Sequence, residues 1–131
     1  MTDRYAELRS LATEFTACFN RHDLDATMAY FHDDAVYVEL HGRVNEGKDA
    51  IRKAFAPLFE QRFGVMRFDE EDLFIDVAQG KVMASWSLHL TLDGKPVALK
   101  GLDLLHFEGT RLTRKLTYCQ AKQPLYLETK G

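Results

Sequence analysis

The sequence is poor in the residues that staple, interrupt or anchor a chain. Its two cysteines, Cys18 and Cys119, lie far apart and lack the spacing of a metal site. They read as small buried apolar residues in a reducing compartment rather than as a disulfide. Only three prolines and eight glycines are present, and no linker, repeat or low-complexity segment stands out. No apolar run is long enough to cross a bilayer, and the charged start MTDRYAELR lacks the apolar core of a signal peptide. A soluble, cytoplasmic protein with no membrane partner is the expectation.

Charge of one sign is also missing. The 17 basic and 20 acidic residues are interspersed, giving a formal charge of −3 with no basic run or stripe. That argues against a nucleic-acid partner. The five histidines, His22, His32, His41, His89 and His106, show no paired spacing that suggests a metal. A phosphate-cradling glycine loop, a dinucleotide fingerprint and a nucleophile elbow are all absent, so a cofactor is not indicated.

What is present is apolar and aromatic: 46% hydrophobic residues, 11% aromatic, nine of them Phe. A single domain spanning residues 1–131 would bury roughly two-thirds of its unfolded surface. Leu8, Leu11, Ala12, Phe15, Cys18 and Phe19 follow the three-and-four spacing of an amphipathic helix over residues 3–20. Asp23 caps a short second helix carrying Leu24, Met28 and Phe31. His32-Asp33-Asp34 reads as a turn into a strand over 35–40, followed by a glycine-marked bend from 42 to 47. A third helix runs from 48 to about 62, with a kink or break near Ala56 because Pro57 follows. Strands are expected near 65–77, 81–92, 96–107 and 110–120. Asp93-Gly94 and Glu108-Gly109 mark hairpins and Ala78-Gln79-Gly80 a turn. The coda, 121–131, contains Pro124 and either folds back or frays. Helices first and long antiparallel strands after them make an α+β chain, with helices on one sheet face.

Along 82–92, Val82, Ala84, Trp86, Leu88, Leu90 and Leu92 share one face and Ser85, Ser87, His89 and Thr91 the other. The run GLDLLHFEG, 101–109, differs, being apolar on both faces. One face can meet the helices; the other needs cover, and a homodimer through the sheet would supply it.

Asp103 sits in the middle of that run with no solvent side. A buried carboxylate must be neutralised, paired or put to use. It reads either as a pocket acid with a raised pKa or as a structural carboxylate bound to backbone N–H groups or a nearby Arg or Lys. Glu39, at the end of AVYVELHG, reads either as a catalytic carboxylate at a strand end or as a solvated glutamate. His41 stands two residues on and could join the same rim. The aromatic residues Phe15, Phe19, Phe31, Phe55, Phe59, Phe63 and Trp86 form a plain core or surround a pocket of roughly a few hundred cubic ångströms. Lys115 and Tyr118 fall on opposite faces of the last strand, and alternation alone leaves open which one points inward.

The runs FNRHDLDATMAYFHDDAVYVELHG, GKDAIRKAF and LKGLDLLHFEGTRLTRKLTY resemble the SnoaL-like and ketosteroid-isomerase-like branch of the NTF2-like superfamily. The likeness covers roughly residues 8–120. It implies a cone: three N-terminal helices packed on a curved, mostly antiparallel sheet with an open apolar pocket. That fold hosts isomerases, polyketide cyclases, dehydratases, epoxide hydrolases and pure binding domains. Ketosteroid isomerase uses an aspartate base, a tyrosine and a protonated aspartate. The resemblance puts Glu39 at the base and Asp103 at the protonated aspartate, whereas Phe15 takes the tyrosine position and cannot donate. Loss of one oxyanion donor costs about a hundred- to a thousandfold in rate, which weighs against efficient steroid isomerisation. In the SnoaL-type cyclases the resemblance makes Asp103 the counterpart of a general acid/base.

Together these imply a cofactor-free proton-transfer enzyme (an isomerase, cyclase or dehydratase) acting on a small apolar carbonyl-bearing molecule. Glu39 would abstract a proton, a neutral Asp103 would donate a hydrogen bond, and Phe15, Phe19, Phe31, Phe55, Phe59, Trp86 and Leu88 would hold the substrate. On that reading Asp103→Asn lowers turnover and leaves the fold intact. The alternative is a non-catalytic ligand-binding or dimerisation module of the same fold. A protein-docking domain would need an exposed patch that the sequence does not locate.

Overall fold

The first two helices begin where a side chain satisfies a free amide, whereas the third starts from Gly47 without a side-chain cap. In the computed structural model, which describes residues 3–123 and 126, Asp3 accepts a hydrogen bond from the Ala6 amide and opens α1 (Arg4–Asn20). Asp23 does the same for Ala26 and opens α2 (Leu24–Met28). Leu8, Ala12, Phe15, Cys18 and Phe19 form the buried face of α1, as the spacing requires. The third helix, α3 (Lys48–Phe59), ends sooner than expected and is unbroken through Pro57. Proline in the last turn disturbs little of the helix behind it, and the Glu60 amide still reaches the Ala56 carbonyl at 2.8 Å. Most of the coda, residues 124, 125 and 127–131, lies outside the described residues. Among those described, no helix is long and apolar enough to cross a membrane.

Six strands form one mostly antiparallel sheet: β1 (Phe31–Val38), β2 (Val44–Glu46), β3 (Arg67–Asp76), β4 (Lys81–Leu92), β5 (Lys95–Glu108) and β6 (Arg111–Cys119). Their order is β2-β1-β6-β5-β4-β3, with β1 and β6 parallel. Two expectations need correction. His32-Asp33-Asp34 is not a turn but part of β1, and the supposed bend at 42–47 contains β2. The polar triplet occupies an irregular stretch where the pairing jumps from Phe31 with Leu112 to Val36 with Arg114. Strand residues without partners on β6 can be as polar as a turn, so polarity misled. Asp93 and Gly94, at φ of 52° and 75°, form the expected two-residue loop between β4 and β5; the second hairpin turns one residue later than its dipeptide, at Gly109 and Thr110, because Glu108 still pairs with Arg111.

The alternation of β4 is realised, with Val82, Ala84, Trp86, Leu88 and Leu90 buried and Leu92 exposed at its end. Val82, Trp86, Leu88 and Leu90 join Leu8, Ala12, Phe15 and Phe19 of α1, with Phe31, Ile51, Phe55, Leu105, Phe107 and Leu112, in one core between helices and sheet.

Gly101 fixes how Trp86 lies in that core. The two are partners across β4 and β5. A Cβ at Gly101 would stand 2.4 Å from the Tyr118 carbonyl oxygen and 2.7 Å from the indole of Trp86. The bare backbone lets the ring lie across it. Gly101→Ala must therefore move a strand or the indole and is expected to lower unfolding stability by about 1–3 kcal/mol, the usual range for overpacking. Urea denaturation checks this; an unchanged midpoint would contradict the packing role.

Candidate active site

One extra residue in β6 sets the inner face of the sheet. Glu108 pairs with Arg111 and Phe107 with Leu112, but His106 then pairs with Arg114. Thr113 is left over, and its hydroxyl bonds the His106 carbonyl at 3.2 Å. Because strand side chains alternate, a one-residue bulge turns over everything beyond it. Lys115 consequently sits opposite Leu105 rather than Leu104, faces inward and is 5% exposed, while Tyr118 faces out. Across the parallel pair Lys115 is the partner of Tyr37, and across β5 and β6 Thr117 is the partner of Asp103. The register thus gathers four polar side chains on one inner wall.

Their bonding is closed and specific. Lys115 Nζ donates to Asp103 Oδ1 at 2.9 Å and to Thr117 Oγ1 at 2.8 Å. The Thr117 hydroxyl donates to Asp103 Oδ1 at 2.6 Å, and Trp86 Nε1 donates to Oδ2 at 3.1 Å. Both carboxylate oxygens therefore accept, the Lys115 side of the group at close ion-pair distance. This corrects the expectation of a neutral, hydrogen-bond-donating Asp103. In this geometry the Lys115 ammonium, the Thr117 hydroxyl and the Trp86 indole N–H all donate to it. The structural alternative, a carboxylate paired with a nearby lysine, describes its surroundings.

Burial alone would pull the Lys115 pKa down, but the Asp103 carboxylate and neighbouring Tyr37 outweigh it and the net shift is upward. Lys115 is thus an ammonium at neutral pH, a donor rather than an amine nucleophile. Burial pushes the Tyr37 phenol up, against the pull of the Lys115 charge. The Lys115 ammonium lies 4.6 Å from the centre of the Tyr37 ring, a cation–π distance.

A cavity of about 330 Å³ opens in front of this wall. Lys115, Thr117, Tyr37 and Glu39 contribute its polar side; Phe19, Phe55, Phe68, Trp86, Leu88 and Leu99 are among its hydrocarbon lining. Glu39 lies just beyond β1, where Asn45 Nδ2 donates to its Oε2 at 3.0 Å. His41 Nε2 stands 3.7 Å and Arg43 Nε 4.0 Å from its carboxylate; His41 neighbours Glu39 but is not part of the cavity lining.

Of the residues expected to hold a ligand, Phe19, Phe55, Trp86 and Leu88 line the cavity. Phe15 and Phe31 do not. They are buried edge-to-face against one another at 5.7 Å in the core beneath. Phe59 packs behind Phe19 and Phe55 without reaching the lining. Asp103 is one layer back, behind Lys115 and Thr117. Lys115, Tyr37 and Thr117 are polar lining residues that sequence reasoning did not assign to the site; Lys115 and Thr117 owe their inward orientation to the bulge in β6.

With this geometry in place, likenesses to solved structures can be weighed. A candidate polyketide cyclase from Xanthomonas campestris pv. campestris superposes with a TM-score of 0.75 at 18% identity, over 88% of this chain and 92% of that one. The epoxide hydrolase/cyclase-like enzyme SalBIII of salinomycin pyran-ring formation gives a TM-score of 0.79 at 15% identity, over 88% and 92%. An NTF2-like protein of unknown function from Mesorhizobium loti gives 0.75 at 18%, over 92% and 97%. At such identities the likeness establishes the fold alone: the NTF2-like cone. No curated protein matches the chain. The SnoaL-like domain model matches residues 12–115, and the chain belongs to that family.

The paired charges make a stability prediction. Asp103→Asn should not leave the fold untouched, because it strands a buried ammonium; the expected loss is about 3–5 kcal/mol. The double variant Asp103→Asn, Lys115→Met should recover a large part of it in urea denaturation. Equal losses in the single and double variants would show that the pair does not act as a unit.

A pH dependence follows from the upward shift of Lys115. A raised folded pKa stabilises fully below the unfolded value, about 10.4, and that contribution fades as pH rises through the folded value. Tyr37 acts in the same direction. Unfolding free energy should therefore fall more steeply above about pH 10 in the wild type than in the double variant. Parallel curves would contradict the assignment.

Proposed function

We propose that this chain is a cofactor-independent proton-transfer enzyme acting on a small, neutral, apolar molecule that carries a carbonyl group. The observation that supports this reading is the Lys115–Asp103 pair set in one wall of an otherwise hydrocarbon cavity, with the Glu39 carboxylate on the same lining. In the proposed reaction Glu39 takes a proton from the carbon beside the carbonyl. The C–H electron pair moves toward the carbonyl oxygen, and an N–H of Lys115 meets the negative charge that develops there. Returning the proton at another carbon isomerises the molecule. Attack of the enolate on a second carbonyl cyclises it, and expulsion of a β-hydroxyl, protonated as water, dehydrates it. SalBIII, a cyclase-like enzyme of the same fold, is consistent with such chemistry.

Asp103 has a positioning role in this scheme. It neutralises Lys115 in the resting site, so the wall as a whole offers no net charge to a permanent anion. A neutral ketone that becomes charged only on the way to the enolate suits such a wall better than a carboxylate does. The low-dielectric surroundings strengthen the N–H contact.

A second reading is a passive binding module. It is favoured by the contacts of Glu39, whose carboxylate already accepts from Asn45 and lies 4.0 Å from Arg43 Nε, so that it is partly engaged by the protein itself. Proton exchange separates the two. In D2O the wild type should speed deuterium uptake next to the carbonyl of 2-tetralone, a two-ring ketone, as followed by NMR. Glu39→Gln should slow it about a hundred- to ten-thousandfold. A protein that binds a panel of two- and three-ring ketones yet exchanges none above background would be the passive module.

We also propose a homodimer through the outer face of the sheet. Phe74, Met83, Leu104, Leu116 and Val38 form an apolar row across five strands, and Phe74 is 71% exposed. Acidic Asp72 lies toward one end and basic Arg114 toward the other, so a twofold arrangement can pair them. Free, buried Cys18 fits a cytoplasmic setting. Light scattering should report a dimer in the wild type and a monomer in Leu104→Glu; a monomeric wild type would contradict it.

A further inference from the structure

The hydrogen-bond inventory of the polar wall leaves two protons free for a ligand, and only one of them belongs to Lys115. The ammonium has three N–H groups and spends two, on Asp103 and Thr117. Thr117 has a single proton and gives it to Asp103. Asp103 donates nothing. The remaining side-chain donor on this wall is the phenol of Tyr37, which lines the same cavity beside Lys115 and is its partner across β1 and β6.

We propose that the Tyr37 hydroxyl is a second catalytic donor, which together with Lys115 receives the enolate oxygen of the substrate, and that the pocket is therefore selective for planar enol- or phenol-like ligands. The proposal rests on the proton-transfer reading above and specifies which oxygen-bearing ligands that site takes.

Tyr37 is held in place for this role. Its ring packs against Phe55 of α3 at 4.8 Å and lies 4.6 Å from the Lys115 ammonium on the other contact. Asn45 Nδ2 grips its backbone carbonyl at 3.2 Å. The Thr117 side chain neighbours the phenol, and its own proton is committed to Asp103. The upward shift of the Tyr37 pKa keeps the phenol protonated across neutral pH and available to donate. A rigid donor next to a fixed ammonium needs little reorganisation when charge develops on a ligand oxygen. Phe15, the first-helix position without a hydroxyl, is sealed in the core, so the second donor reaches the cavity from the sheet instead.

A pair of ligands matched in shape tests this. The single tryptophan, Trp86, lines the cavity, and both 4-nitrophenol and nitrobenzene quench tryptophan emission on binding. At pH 6 the wild type should bind 4-nitrophenol the more tightly. Tyr37→Phe should weaken 4-nitrophenol, neutral at this pH, by roughly three- to tenfold, the range for a hydrogen bond between uncharged groups, and leave nitrobenzene unchanged. Equal weakening of both ligands would make Tyr37 a packing residue only, and no weakening of either would remove it from the site; each result overturns the proposal. So would a wild type that binds 4-nitrophenol no more tightly than nitrobenzene. The double variant Lys115→Met, Asp103→Asn is measured alongside and keeps the underlying reading separate. Selective loss there with none in Tyr37→Phe defeats the Tyr37 proposal alone; selective loss in Tyr37→Phe with none in the double variant supports Tyr37 and defeats the role of Lys115.

Discussion

A lysine ammonium can be 5% exposed in this protein because a carboxylate stands 2.9 Å from it. Desolvating either charge alone would cost several kcal/mol. Together, with Thr117 and the Trp86 indole completing the shell of Asp103, they form a neutral, satisfied unit. Much of the site depends on that unit. Asp103 requires Trp86 to lie across Gly101, which has no side chain to obstruct it. Lys115 requires the Thr113 bulge to face inward. The hydrocarbon wall opposite makes the arrangement consequential, since charges interact more strongly where water is scarce.

The division of labour within the site differs from the one that the isolated residues suggest. Asp103 is the unusual residue in the sequence, yet it stands behind the lining, and the group it holds is the one that faces the cavity. A carboxylate that orients and neutralises a donor leaves that donor's free N–H to the ligand. Glu39, by contrast, is on the cavity lining, with His41, Arg43 and Asn45 around it. The placement keeps the candidate base apart from the Asp103–Lys115 bonding unit, with Glu39 beyond the end of β1 and the donors within the sheet.

Local chemistry was legible in the sequence where it acts over a few residues. Asp3 and Asp23 announce their helices, Asp93-Gly94 announces its hairpin, and the alternation from Val82 to Leu90 fixes which face of β4 is buried. The isolated Asp103 correctly marked the part of the sheet that carries the polar wall. The orientation of Lys115 was not legible, because alternation counts from the Glu108-Gly109 hairpin and Thr113 resets the count midway. The same difficulty hid the start of β1, where His32, Asp33 and Asp34 are exposed residues of an irregular strand. Phe15, Phe31 and Phe59 share the composition of cavity residues, but their depth is decided by how α1, β1 and α3 pack, which spacing does not encode.

The central claim is that Lys115 is an ammonium, held by Asp103, whose remaining N–H faces the ligand. Nitrogen NMR of the Lys115 side chain, with 2-tetralone titrated at neutral pH, tests it most directly. The account predicts a charged amine whose Nζ signal moves on ligand binding. A neutral amine at pH 7, or a charged one whose signal is indifferent to a bound ketone, would contradict it.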